Sequence, residues 1–165
     1  MTKDIKMEIL TILSENSRID RDTVAAMVGC DRETVDRLIA EMEEERVIMK
    51  YTTIIDWEKI NKEATVYARI DVQVQPQREV GFDDIARRIC RFPEVKSLLL
   101  VSGKFDFAVM VEAPTMMAVS NFVSGKLATI DGVKSTWTNF VLKKYKENEV
   151  IYGEEDGDHR QVVTL

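Results

Sequence analysis

Residues able to read a nucleic acid crowd one short stretch, "GCDRETVDRLIAEMEEERVI", residues 29–48. Arg32 and Arg37 can each present paired N–H donors to a guanine edge. Glu33 can accept from a cytosine amino group, and Thr34 can touch phosphate or a thymine methyl. The same stretch carries an opposing charge: from Asp31 to Glu45, seven acids stand against two arginines. A helix that enters a groove does so with its N-terminal end. A rise of about 1.5 Å per residue then puts Glu43, Glu44 and Glu45 about 10 to 15 Å further along, where they can point away from phosphate. Neutralising phosphate would fall to Lys3, Lys6, Arg21, Arg46 and Lys50 with the helix N-termini, a thin set for one copy. Residues 1–50 hold eight Lys and Arg against twelve Asp and Glu, a local balance of −4. Affinity per copy should therefore be modest and should depend on assembly. Arg37 has a competing role as the solvated partner of Glu33 or Glu41 at helical spacing.

Little else in the chain is equipped for catalysis. His159 is its only histidine and lies in the polar stretch "YGEEDGDHRQ", where a solvated tail residue is expected. Zinc sites, Ser-His pairs and haem-ligand pairs have no material, so neither a metal nor a cofactor is expected. Cys30 and Cys90 form no CxxC pair, and there is no signal peptide or long apolar run. That combination points to a reducing cytoplasm, free thiols and no membrane partner. The net charge of −6 and 45% hydrophobic residues describe a folded chain of one ordinary domain or two small ones, whose balance opposes grip on DNA by charge alone.

Two segments of different period must position these residues. Apolar residues at Ile5, Ile9, Leu10, Ile12 and Leu13 predict a first helix over 3–15. Asp20 is placed to cap a second, with Val24, Ala25, Met27 and Val28 as its apolar positions, and Gly29 breaks it. Asp31 is placed to cap a third, in which Val35, Leu38, Ile39 and Met42 form one inward stripe. Glu33, Asp36, Arg37, Ala40, Glu41 and Glu44 then face out. The β-branched run "VIMKYTTII" after Arg46 reads as a short strand or wing. Three helices with a glycine at the second turn suit a helix-turn-helix; a plain three-helix bundle with Gly29 as a C-cap fits the same pattern.

Beyond residue 60 the alternation of Val66, Ala68, Ile70, Val72 and Val74 with Tyr67, Arg69, Asp71 and Gln73 predicts a one-sided strand ended by Pro76. A helix over about 79–91 follows, with Val80, Ile85, Ala86 and Ile89 inward. "VKSLLLVS" and "FDFAVMVEA" read as a hairpin turning at Ser102-Gly103-Lys104. A second helix starts at Pro114-Thr115 with Met116, Val119, Phe122, Val123 and Leu127 inward, and "VKSTWTNFVLKKY" is the last strand. The order β-α-β-β-α-β is the ferredoxin-like plan. With both helices on one face, the other is left to pair with a second copy, a homodimer.

These segments, "ILTILSENSRI", "VAAMVGCDRETVDRLIAEMEEERVI" leading into a Tyr-containing wing, and "VSGKFDF" followed by "DGVKSTWTNFVLKKYK", together resemble the Lrp/AsnC (feast/famine) family of transcriptional regulators over about residues 3–147. The resemblance implies an α+β chain: a winged helix-turn-helix over 1–60, a ferredoxin-like βαββαβ (RAM/ACT-like) effector and dimerisation domain over 61–149, and an acidic tail over 150–165. It implies sequence-specific binding to double-stranded promoter DNA through Arg21, Arg32, Glu33, Thr34, Arg37 and Lys50. It also implies dimers that build a higher oligomer such as an octamer. The family usually has glycine where this chain has Arg46, so the third helix must be turned without it.

Gly103-Lys104-Phe105-Asp106 resembles the family's Gly-x-x-Asp segment near the effector cleft between dimers. A free amino acid needs a carboxylate for its ammonium and donors for its carboxylate. Asp106 can supply the first, and the Gly103 backbone with the Thr136 and Thr138 hydroxyls the second. In the competing role, Gly103 permits the hairpin and Asp106 ends it. Phe105 and Trp137 suit core or interface. Two other functions compete: a DNA-free sensor or co-regulator, for which the acidic N-terminal half speaks, and a sirohaem decarboxylase like some proteins similar to this family. The decarboxylase would need basic and histidine residues that one tail histidine does not provide, so an enzyme is not expected.

Overall fold

The computed structural model describes residues 2–56, 58–60, 65–75 and 81–152. The expected ends at Pro76 and Val80, His159 and the acidic segment from residue 153 lie outside them. The chain divides into two compact units, Met1–Ile55 and Asp56–Leu165.

The first unit is three helices: α1 (Thr2–Glu15), α2 (Arg21–Val28) and α3 (Arg32–Glu44). Both α2 and α3 begin with the same local grammar, Asp-Arg-acid-Thr-Val, in "DRDTV" and "DRETV". Asp20 accepts from the Thr23 backbone N–H at 2.9 Å and from the Thr23 hydroxyl. Asp31 accepts from the Thr34 N–H and hydroxyl, both at 2.8 Å. Each carboxylate satisfies a donor orphaned by the helix start. Ile9, Leu13, Val24, Ala25, Val35, Leu38, Ile39 and Met42 form the core, and each larger apolar side chain fully buried there is worth about 1.5–3 kcal/mol. Met27, expected among them, is exposed. Val24, Ala25 and Val28 set the buried stripe of α2, and at about 100° per residue Met27 falls to one side of it.

The second and third helices end alike. Gly29 has φ +68° and hands the chain on with Cys30 N–H donating to Ala25 C=O at 3.0 Å. After α3 the same turn falls on Arg46, φ +58°, with Arg46 N–H on Glu43 C=O and Val47 N–H on Met42 C=O. This is the Schellman arrangement built without glycine. The left-handed region costs a residue with a side chain about 1–2 kcal/mol, which glycine's greater unfolded freedom partly offsets. Arg46→Gly should therefore stabilise the N-terminal unit by about 1 kcal/mol. A circular-dichroism melt would register a rise of a few degrees, and an unchanged or lower midpoint would show that the turn holds no strain. The expected strand is not formed: residues 47–55 carry none. β-branched composition makes a strand only where a partner edge supplies hydrogen bonds, and no strand is found elsewhere in this unit among the described residues.

The second unit follows β1 (Val66–Val74), α4 (Phe82–Ile89), β2 (Val95–Leu100), β3 (Phe107–Ala113), α5 (Met116–Gly125) and β4 (Val133–Phe140). Its sheet runs β2-β3-β1-β4 with every neighbouring pair antiparallel, the ferredoxin-like order. Ala68, Ile70, Val72, Val109 and Val111 pack with Ile85, Ile89, Val119 and Phe122 of the two helices. Met116, expected inward, is exposed; it opens α5 a full turn before Val119, and a helical side chain tilts toward the N-terminus and so off the core. The segment from Val150, expected as a loose arm, begins ordered. β5 (Lys146–Glu147) pairs with β6 (Val150–Ile151) through a two-residue turn at Asn148 and Glu149, φ +46° and +69°, as a hairpin turn with two positive φ values requires.

Candidate functional site

The outer face of α3 carries Arg32, Glu33, Asp36 and Arg37, all exposed, within its first two turns. None of its arginines stands alone. Arg32 Nη1 lies 3.0 Å from Asp22 Oδ2 and its Nε 3.5 Å from Asp36 Oδ2. The other oxygen of Asp36, Oδ1, lies 3.6 Å from Arg21 Nε. Arg37 pairs with Glu41 one turn on, the partner it was competing for. Lys6 of α1 reaches the same acid at 3.2 Å and Glu45 at 3.7 Å. Lys6, and after it Arg37, hold the Glu41 carboxyl below its ordinary range. Thr34 spends its hydroxyl on Asp31 and is a capping residue first. Lys50 is exposed just before Tyr51, whose phenol donates to Glu43 at 2.8 Å. Burial, then Glu43, raise that phenol's pKa, against the pull of Arg21.

Sequence reasoning had set the acids of α3 aside as a rear surface or a repulsion. The pairing of Arg37 with Glu41 is the one that helical spacing offered; that of Arg32 with Asp36, also at i,i+4, was missed. Asp22 and Arg21 could not be placed that way, because their contacts cross from α2 to α3.

In the second unit Gly103 and Asp106 lie in the loop of residues 101–106 that joins β2 to β3. Asp106 is a structural junction. Its N–H donates to Val72 C=O at 2.9 Å, its C=O accepts from Val101 N–H at 2.8 Å, and its carboxylate Oδ2 accepts from Val74 N–H at 2.8 Å. Thr136 and Thr138 sit on β4, opposite Val72 and Ile70, so their side chains share the helix-covered face. β4 and β3 flank β1, two strand spacings apart, about 10 Å. One protomer thus does not gather these four residues into a single cluster.

The open face of the sheet carries Tyr67, Arg69, Asp71 and Gln73 on β1, with Trp137 opposite Asp71 and Asn139 opposite Arg69. Ala108, Met110 and Leu99 continue it. Asp71 is 9% exposed and takes Arg69 Nε at 2.9 Å and Asn139 Nδ2 at 3.3 Å, while Trp137 Nε1 donates to Asn139 Oδ1 at 3.1 Å. Trp137 itself is 61% exposed. Beside this face the ammonium of Lys144 stands 3.8 Å from the Tyr67 ring centroid and 2.9 Å from Glu147, which fastens the β5–β6 hairpin.

The model of the Lrp/AsnC ligand binding domain matches residues 67–151, more than half of the chain. The chain belongs to the Lrp/AsnC family. The match takes in the loop of Gly103 and Asp106, both threonines and the final hairpin. Among relatives, the HTH-type transcriptional regulator YugG of Bacillus subtilis is 47% identical over 157 residues, 95% of each chain. The HTH-type transcriptional regulator FL11 of Pyrococcus furiosus is 24% identical, over 87% of this chain and 91% of its own. Among solved structures, the complex of the transcriptional regulator NMB0573 with L-Met, from Neisseria meningitidis, superposes with a TM-score of 0.68 at 25% identity, covering 87% of this chain and 91% of that one. Escherichia coli AsnC shares the fold, with a TM-score of 0.67 at 19% identity over 87% and 94%. This Lrp/AsnC chain is accordingly a helix-turn-helix transcriptional regulator with a ligand-binding domain. No helix among its described residues is long and apolar enough to cross a membrane.

Proposed function

We propose that this regulator is a cytoplasmic, non-enzymatic protein that binds promoter DNA with the first two turns of α3 and responds to an amino acid held by its C-terminal unit. Domain limits of 1–60 and 61–149 serve that division, the second extended through the β5–β6 hairpin so that its two strands stay together. The observation that carries the DNA reading is the pair of capped helices α2 and α3 around Gly29, which presents Arg32, Glu33 and Arg37 on one exposed face. Arg21 and Lys50 add phosphate contacts, and Thr34 sets the start of the helix. The amino-acid reading draws on the L-Met complex of the Neisseria regulator. In this chain Asp106, Gly103, Thr136 and Thr138 would meet the ligand only if a neighbouring subunit closes the distance between them. A homodimer through the open sheet face, with Leu99 and Trp137 exposed on it, is the first step of that assembly, and a higher oligomer such as an octamer the second.

Arg37→Ala should weaken binding to the promoter fragment by about tenfold, within the range for one base-reading arginine. Gel shift reads it; retention as tight as the parent's would remove Arg37 from the recognition surface. The paired arginines favour a second reading, a DNA-free sensor. It predicts no retained fragment even at low salt, where phosphate contacts are strongest.

A further inference from the structure

Of the ion pairs that join α2 to α3, Asp22–Arg32 is exposed on both sides and Arg21–Asp36 has its arginine half-buried; pairs this open to solvent add little to stability. Stability therefore does not explain why acids occupy the surface offered to phosphate. Their placement has a sharper property. Asp36 divides its two oxygens between the two arginines at the helix starts, Arg21 at 3.6 Å and Arg32 at 3.5 Å. Asp22 takes the remaining side of Arg32 at 3.0 Å. An arginine so held must leave a carboxylate before it can neutralise a phosphate, and the carboxylate it leaves then faces the DNA.

We propose that Asp36, assisted by Asp22, is an attenuator of DNA binding: it keeps Arg21 and Arg32 paired within the domain and lowers the affinity of a single subunit. The proposal rests on the DNA reading above. It gives the acidic recognition helix a purpose. When each subunit binds weakly, occupancy depends on how many subunits engage together, through their effective concentration. Control of assembly then becomes control of DNA occupancy. Asp36 is a positioning residue in this account, acting through the two arginines.

Asp36→Asn keeps size and hydrogen-bonding capacity and removes the charge. Gel shifts of the full chain on its promoter fragment across a salt series should show binding about tenfold tighter, from the lost repulsion. Arg21 is released while Arg32 keeps Asp22, so the slope of log affinity against log salt should steepen by about 0.9, the value for one phosphate neutralised. Asp22→Asn frees Arg32 from one partner and should give a smaller change in both. Glu44→Gln removes the same charge from the rear of α3 and should leave the slope as it was. Circular dichroism of each variant checks that the fold is kept. Asp36→Asn binding no tighter than the parent overturns the proposal, as does Glu44→Gln reproducing its gain and its slope. Arg37→Ala is run beside them. If it weakens binding while Asp36→Asn changes nothing, the attenuator falls and the DNA reading stands; if neither parent nor variants retain the fragment at low salt, both fall.

Discussion

Asp106→Ala is expected to cost the C-terminal unit about 2 kcal/mol before any ligand is added. The carboxylate accepts from the N–H of Val74 at the end of β1, and Val74 is buried. A buried donor that loses its acceptor bears its desolvation cost, and a hydrogen bond to an ionised group is stronger than a neutral one. The backbone of the same residue ties β1 to the start of β3 and closes the loop on Val101, so slack introduced there reaches three strands. Asp106→Asn separates the two roles assigned to this residue. The amide oxygen still accepts from Val74, and stability of the ligand-free protein should stay within about 1 kcal/mol of the parent, while an ammonium loses its counter-charge. In a thermal-shift screen of amino acids the asparagine variant should melt near the parent without ligand and respond less to it. An alanine variant that melts like the parent would remove the junction role. An asparagine variant that keeps the full ligand shift would remove the ammonium contact.

Legibility of the fold in the sequence follows the range of the interaction concerned. The starts of α2 and α3 were readable because an aspartate and the amide three residues on decide them. Gly29 was readable because a left-handed turn favours glycine, and the strand β1 because its alternation is strict. The segment after α3 was not, since "VIMKYTTII" has strand composition and a strand exists only against a partner edge, which composition does not contain. Thr136 and Thr138 show the same limit within a site. Their types suit a ligand carboxylate, but which face they share is set by pairing with Val72 and Ile70, a register that only the assembled sheet displays. The network that Arg69, Asn139 and Trp137 build around the buried Asp71 was hidden for that reason too: three of its members look like the ordinary outer residues of two strands. The ion pairs of Asp36 lie between these cases. One is a helical neighbour and legible; the other crosses from α2 and is not.

Gly132→Ala is expected to destabilise the same unit by about 3 kcal/mol, for two separable reasons. Gly132 has φ +92°, a backbone region that costs a residue with a Cβ of order 1–2 kcal/mol. Its added methyl would also stand 2.7 Å from Cδ1 of Ile85, a fully buried side chain of α4. The C=O of Gly132 accepts from Gln75 N–H at 2.7 Å, at the end of the β1–β4 pairing, so the turn cannot simply move aside. Ile85→Val removes the atom that is struck and by itself costs about 0.5–1.5 kcal/mol. In that background the clash is gone and the backbone penalty stays. A double-mutant cycle by urea unfolding should therefore show the pair to be less destabilised than the two single variants added together, by about 1 kcal/mol. Strict additivity would mean that α4 already yields to the methyl and that the backbone angle alone sets the loss. Gly132 would then be kept for its turn and not for the fit of the helix against the sheet that carries the candidate ligand site.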